Sequence, residues 1–301
     1  MACYHPIDCW KIPDGESKTG YRLFFGSPSG APCSGAIPCR IPCGKCIGCR
    51  LARSRQWAVR CVHEASLHDA NAFVTLTYSP QFLPSDGCLS VDVLQRFFKR
   101  LRKALSGVKL RYFACGEYGE KYNRPHYHFI LFGYDFRDDR VLLRNTPYGP
   151  LYISPLLSRV WPYGFSSIGS VTFHSAAYVA RYVTKKRLGK DATSFYAEKG
   201  LTPEFVTMSR RPGIAHDWIV KHYPDVYNYD KIVLADGMST RPPKYYDSFF
   251  ELTSPEDYAI IKETREKNVS LVPAKRLLDL EQVQLEKARK LIRPIEMEEK
   301  L

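Results

Sequence analysis

The sequence predicts an α+β fold, on three observations. Strand-like and helix-like segments follow one another irregularly between about residues 70 and 190. Two of the strand-like segments are joined by a short polar link, which favours antiparallel pairing. The composition, 45% hydrophobic and 25% charged over 301 residues, is that of a folded protein rather than a disordered or fibrous one.

Residues 1–50 are rich in Pro, Gly and Cys and show little periodicity, so they read as an irregular segment held by something other than a regular core. From Leu51 to about Leu67 the pattern is helical, with Trp57, Val59 and Cys61 among Arg50, Arg53, Arg55 and Arg60, and predicts a basic face turned to solvent or phosphates. Phe73 to Tyr78 is β-branched and aromatic and stops at Ser79-Pro80, a buried strand. Ser90 is an N-cap for a helix whose apolar residues Val91, Leu94, Phe97, Phe98, Leu101 and Leu105 recur at helical spacing up to Gly107. Lys109 to Glu117 and His126 to Tyr134 are strands flanking a polar turn. A weak helix at Pro155–Val160, a short strand at Phe165–Val171 and a helix from Ser175 to Lys186 complete the central region. Beyond Lys190 only Pro273 to Ile292 reads clearly as helix. The expected organisation is a Cys-rich segment with a basic helix (1–69), a sheet core (70–190) and a partly helical C-terminal extension (191–301).

Lys plus Arg outnumber Asp plus Glu by 44 to 31, a net +13. Residues 251–301 contribute −1, so the first 250 hold +14, and a polyanion is the expected partner. No apolar run of about 18 residues and no signal-peptide pattern is present, so neither membrane insertion nor secretion is expected and the place of action is a cytoplasm. Ten cysteines are too few for a disulfide scaffold, but Cys39, Cys43, Cys46 and Cys49 crowd together. Four thiolates in a short loop match a structural Zn²⁺, with Cys3, Cys9 or Cys33 open as a replacement for one of them. The spacing of Cys39, Cys43 and Cys46 also fits the [4Fe–4S] motif of radical S-adenosylmethionine enzymes. That fold needs repeated β/α units forming a barrel, whereas paired strands follow here, and Cys49 would close the open iron.

His126 and His128 are two residues apart on a strand, so both imidazoles point to one face. Antiparallel pairing brings Glu117 across from them, with Glu120, nearer the turn, as the rival ligand. Two nitrogens, one oxygen and open positions match Mg²⁺ or Mn²⁺ in a phosphate-processing centre, with Zn²⁺ as the alternative. On the helix from Ser175, Tyr178, Tyr182 and Lys185 share one face. A phenol of pKa near 10 attacks a phosphodiester only with help from a nearby cation. The product would be a protein–DNA phosphotyrosine and a free 3′-hydroxyl.

A Phe-x-Thr-Leu-Thr strand (Phe73 to Thr77), a His-hydrophobe-His strand (His126, Tyr127, His128) and a Tyr-x-x-x-Tyr-x-x-Lys helix (Tyr178 to Lys185), in that order, resemble the HUH endonucleases that start rolling-circle replication. Cys43 to Arg50 and the run Arg53 to Ala58 look closer still to the replication initiators of gokushovirus-type microviruses, small ssDNA phages. The resemblance implies a mostly antiparallel sheet with the histidines on a central strand and the tyrosine helix beside it. It implies site-specific nicking and joining of an ssDNA origin, in which one tyrosine cuts and the other attacks the regenerated origin. Tyr182, nearest to Lys185, is the expected first nucleophile. Arg50, Arg53, Arg55, Arg181 and Lys186 are the expected DNA contacts, although Arg181 stands where many relatives have Lys. No Walker-type run is present, so a host helicase is implied as partner alongside a host polymerase, in the bacterial cytoplasm. A zinc-stabilised, non-enzymatic ssDNA-binding protein with stacking tyrosines is the competing reading.

Overall fold

The computed structural model describes residues 3–17, 20–26, 30–119, 123–147, 149–185, 190–234, 237–268 and 272–290, excepting the side chains of 181–185, 190–193, 289 and 290. The described residues pack as two compact units, one holding the chain up to Ala52 together with 272–290, the other 53–268.

In the first unit, β1 (Ile7–Pro13), β2 (Tyr21–Phe24) and β3 (Ile37–Ile41) form an antiparallel sheet in the order β2-β1-β3. The expectation of an irregular N-terminal segment is therefore corrected. These strands are short, one holds Pro38, and β2 is exposed throughout, so they lack the in–out alternation that marks a half-buried strand. Helix α1 (Ile47–Ala65) starts four residues earlier than its periodicity indicates, because Cys46 and Cys49 are themselves built into its first turn.

The second unit continues with β4 (Asn71–Tyr78), α2 (Val91–Ala104), β5 (Arg111–Tyr118), β6 (Pro125–Phe132), β7 (Val141–Thr146), β8 (Gly149–Ile153), α3 (Pro155–Val160), β9 (Gly164–Gly169), α4 (Phe173–Lys185), α5 (Lys190–Lys199), β10 (Phe205–Met208), α6 (His216–Tyr229), β11 (Ile232–Val233), β12 (Ser239–Thr240), α7 (Lys244–Thr253) and α8 (Pro255–Lys267). The last helix, α9 (Ala274–Lys290), belongs to the first unit. Seven strands make one open sheet in the order β10-β5-β6-β4-β9-β8-β7, and its pairings are antiparallel. The fold is thus α+β with a large antiparallel sheet flanked by helices. No β/α barrel follows the cysteines, and the radical S-adenosylmethionine reading falls with it.

Alternation along β4, β5 and β6 sends successive side chains into two cores. Ala72, Val74, Leu76, Tyr127, Phe129 and Leu131 meet the apolar stripe of α2 (Leu94, Phe97, Phe98, Leu101) and α3. Both helices start on a serine cap: Ser90 Oγ accepts from Val93 N at 3.4 Å and Ser154 Oγ from Leu157 N at 3.1 Å. Phe73, Phe113, Ile130 and Phe132 point the other way, against α1, α4, α6 and α7.

Packing does not follow the expected cuts after residues 69 and 190. β10 extends the sheet beside β5, and Ile214, Ile219, Tyr246 and Phe250 fill the same core as Phe113. A buried ion pair fastens this region: the Glu64 carboxylate accepts from Arg111 and, at 2.6 Å, from Ala215 N. Arg111 also donates to Pro212 O and Gly213 O at 2.9 and 3.1 Å. Burial would raise the Glu64 pKa, but the hydrogen bonds from His68, Ala215 N and Arg111 outweigh it and hold the carboxyl below its usual range. Arg60, expected on the basic face of α1, is instead buried, donating to Ile214 O between the rings of Trp57 and Tyr245.

His63 lies stacked on Trp218, ring centroids 3.5 Å apart, with Nδ1 2.8 Å from the Tyr246 hydroxyl. Burial, aided by His222, depresses its pKa from 6.5 to about 3. Between those values the unfolded chain binds a proton that the native one does not, so His63 lowers stability as pH falls from 6.5 towards 3 and leaves it unaffected above. Urea unfolding at pH 7 and pH 4.5 is expected to show a smaller acid loss in His63→Phe than in the parent. An equal loss contradicts this account.

Candidate functional site

The strands β5, β6 and β4 lie side by side, and their register sets two rows of side chains on the α4-facing side of the sheet. Glu117, His126 and Thr77 form one row; Cys115, His128 and Thr75 form the next. His128 is 1% exposed. Its Nδ1 is 2.9 Å from Thr75 Oγ1 and its Nε2 is 2.8 Å from Glu117 Oε1. Glu117 is buried rather than an exposed turn carboxylate.

His126 Nδ1 lies 2.7 Å from the Arg124 carbonyl oxygen. A carbonyl only accepts, so Nδ1 carries the hydrogen and Nε2 presents its lone pair. Burial and then the neighbouring His128 hold the His126 pKa below the ordinary histidine value, which favours this neutral form. The two imidazoles are nearly parallel, 8° between planes, with centroids 6.4 Å apart.

Helix α4 seats Ala176, Val179 and Ala180 in the core and thereby brings Tyr178 over the histidine strand. The Tyr178 ring meets His128 edge-on at 5.3 Å and Phe73 at 6.0 Å, and is 7% exposed. Four expected site residues, His126, His128, Glu117 and Tyr178, therefore share one neighbourhood. Tyr182, Lys185 and Arg181 belong to α4, but their side chains lie outside the described residues, as do Glu120 and Lys186 altogether. Sequence reasoning missed the supporting roles of Thr75 and Arg124. Thr75 was legible in principle, because alternation from Phe73 places it on the histidine face.

Two imidazole nitrogens and a carboxylate suit a hard or borderline divalent ion, and Thr75 and the Arg124 carbonyl supply the outer hydrogen bonds that orient such ligands. His126 does not close on the His128–Glu117 pair, since among the described residues only a cysteine group brings three or more ligand atoms within 4.8 Å of one another.

That group is Cys3, Cys43, Cys46 and Cys49, which corrects the expected set of Cys39, Cys43, Cys46 and Cys49. Cys39 lies within β3, where its register sets it opposite Cys9 with the sulfurs 3.1 Å apart. Cys3 takes its place because it precedes β1, the strand antiparallel to β3, and so lies beside the end of β3 from which Cys43 follows. The Cys3 and Cys46 sulfurs are 4.0 Å apart, close to the edge of roughly 3.8 Å in a tetrahedron with Zn–S bonds of about 2.3 Å. Backbone N–H groups of Tyr4, Cys43 and Cys46 donate to Cys46, Cys3 and Cys43 at 3.2–3.4 Å. Burial raises the Cys46 pKa, but these and neighbouring donors outweigh it and bring the thiol down to about 7. The tetrad can hold a metal ion, and its donor set fits Zn²⁺. On α1, which begins there, Arg53 and Arg55 are exposed and Arg50 is half-buried.

No helix among the described residues is long and apolar enough to cross a membrane. A family model for replication-associated proteins of the ORF2 type matches residues 71–187, the span that holds the histidine strand and the tyrosine helix. Replication-associated protein VP4 of Bdellovibrio phage phiMH2K is 35% identical over 268 residues, covering 86% of this chain and 80% of the relative. Replication-associated protein ORF2 of Spiroplasma virus 4 is 32% identical, covering 89% and 86%, and Replication-associated protein ORF4 of Chlamydia phage 1 is 31% identical, covering 72% and 55%. No solved structure matches. With two relatives above 30% identity aligned along most of their length, the chain belongs to the family of replication-associated proteins of ssDNA phages.

Proposed function

We propose that this replication protein starts rolling-circle synthesis by nicking and rejoining one DNA strand at the viral origin through a tyrosine. The observation that carries this reading is His128, held between Thr75 and Glu117 and covered by the edge of Tyr178. His126, His128 and Glu117 would hold Mg²⁺ or Mn²⁺. When bound, the ion supplies a positive charge to a non-bridging oxygen of the scissile phosphate.

The phenol oxygen of Tyr182 attacks phosphorus, the P–O3′ bond breaks, and the departing 3′ oxygen takes a proton to become the free hydroxyl that primes synthesis. Lys185 neutralises charge as the phenol loses its proton. The DNA remains joined through a 5′-phosphotyrosine. Tyr178 serves as the second nucleophile, and attack of the 3′-hydroxyl on the phosphotyrosine reverses the reaction and seals the strand without ATP. Arg50, Arg53, Arg55, Arg181 and Lys186 contact the DNA backbone, and a Zn²⁺ in the cysteine tetrad fixes the start of α1. The chain holds no Gly-x-x-x-x-Gly-Lys-Ser/Thr run, so a host helicase opens the duplex and a host polymerase extends the 3′ end, in the bacterial cytoplasm.

Purified protein incubated with circular ssDNA carrying its own origin is expected to linearise the circle with Mn²⁺ and not after EDTA. Tight binding with no cut strand under any divalent ion would instead favour the zinc-stabilised binding protein. Gly119 offers a finer test. A Cβ there would stand 3.0 Å from His126 Cε1, and Gly119 N donates to the same Arg124 carbonyl that orients His126. Gly119→Ala is expected to raise the Mn²⁺ concentration needed for nicking about 10- to 100-fold, the usual cost of disturbing an outer-shell partner. An unchanged Mn²⁺ dependence would show that His126 is not a ligand set by this turn.

A further inference from the structure

We infer that the β2-β1-β3 sheet is a second single-stranded DNA surface, on which bases stack against Trp10 and Phe24 while Arg22 and Arg40 hold phosphates. Trp10 and Phe24 are direct cross-strand partners, so their rings lie on one face. Rows on that face recur every two residues, about 7 Å. The row on one side pairs Ile12 with Arg22, and the row on the other pairs Asp8 with Arg40. The aromatic pair is thus flanked by a guanidinium on each side.

The aromatic edge is open. Phe24 is 43% exposed, Tyr21 42% and the adjoining Phe25 60%, a concentration of apolar rings on one strand that a solvated surface does not ordinarily carry. Charge names the occupant. From Ser17 to His63 the chain has no Asp or Glu and eight Lys or Arg. Exposed aromatics interleaved with arginines in an acid-free stretch are the combination that binds single strands without sequence preference. The cysteine tetrad makes the platform firm, since Cys3 leads into β1 and Cys43 follows β3. The inference borrows from the nicking proposal only that the substrate is single-stranded.

One acidic group opposes binding. Asp8 Oδ1 accepts from Arg40 Nε at 2.6 Å, so Asp8 competes with a phosphate for that guanidinium. Removing its charge is expected to strengthen binding, an effect that a damaged fold would not imitate.

The test is equilibrium titration of the full-length protein with a (dT)20 oligonucleotide, which needs no origin and no cleavage, followed by tryptophan fluorescence at several salt concentrations. Quenching that weakens with salt is expected, and Trp10→Phe should remove most of the change while preserving affinity. Phe24→Ala and Arg22→Glu should each weaken binding on the order of tenfold, and Asp8→Asn should tighten it several-fold. Equal affinity in all these variants, or quenching that persists in Trp10→Phe, overturns the inference. If Arg22→Glu leaves DNA affinity intact but abolishes a dimer seen by light scattering, the edge strand pairs with a second copy and the proposal is likewise wrong. A His128 variant that no longer nicks should titrate like the parent, so failure of this surface and failure of the nicking reading are told apart.

Discussion

His128→Ala is expected to reduce strand cleavage by on the order of 10³-fold while leaving affinity for origin DNA within a few-fold of the parent. The imidazole is buried in the sheet with both nitrogens engaged, Nδ1 at Thr75 and Nε2 at Glu117. Its loss removes a proposed ligand and releases the Glu117 carboxylate, whereas the basic residues proposed to bind phosphates lie on α1 and α4. Thermal unfolding separates this from simple instability, because a cleavage loss shared by a variant of unchanged melting temperature is chemical. Thr75→Val leaves the ring in place but unoriented and should show a smaller loss, about 10- to 100-fold. If His128→Ala nicks as the parent does, the histidine strand is structural and the proposed centre is elsewhere.

The second large effect concerns the cysteines. Removing the metal from the tetrad is expected to unfold the unit built on β1–β3, since the strands are short and β2 is wholly exposed, leaving little apolar burial to hold them. Structural Zn²⁺ contributes roughly 10 kcal/mol or more to folding of such small units. Cys3→Ser and Cys46→Ser should therefore lose bound zinc, measured by elemental analysis, and become open to proteolysis before Ala52. Cys39→Ser should keep its zinc, because Cys39 faces Cys9 and not the tetrad. The reverse pattern would restore Cys39 as the ligand and contradict the geometry described here.

The core of the fold was legible where burial is periodic. Leu94, Phe97, Phe98 and Leu101 announce α2, and the apolar runs of β4 and β6 announce the central strands, because each buries a continuous stripe or face. The histidine–glutamate juxtaposition followed from antiparallel pairing across a short turn, and the register sets Glu117 opposite His126. Elements beyond Lys190 escaped notice for physical reasons. Helix α6 contains Pro224 and starts at Ala215, a left-handed residue with no side-chain cap, and α7 starts at Pro243 without one. β10 has four residues and gains its place from β5 rather than from its own pattern. Choosing between Cys3 and Cys39 required the pairing of β1 with β3, a contact between segments about thirty residues apart that spacing within the loop does not encode.

Intact-mass measurement of the protein after incubation with a short origin oligonucleotide and Mn²⁺, in the parent, the two single Tyr→Phe variants and the double variant, tests the central claim most directly. The account predicts a covalent adduct heavier by the 3′ portion of the cut strand, retained by at least one of Tyr178→Phe and Tyr182→Phe, absent from the double variant and absent with EDTA. An adduct that persists in the double variant would place the nucleophile elsewhere. Cleavage without any adduct would contradict the phosphotyrosine intermediate itself.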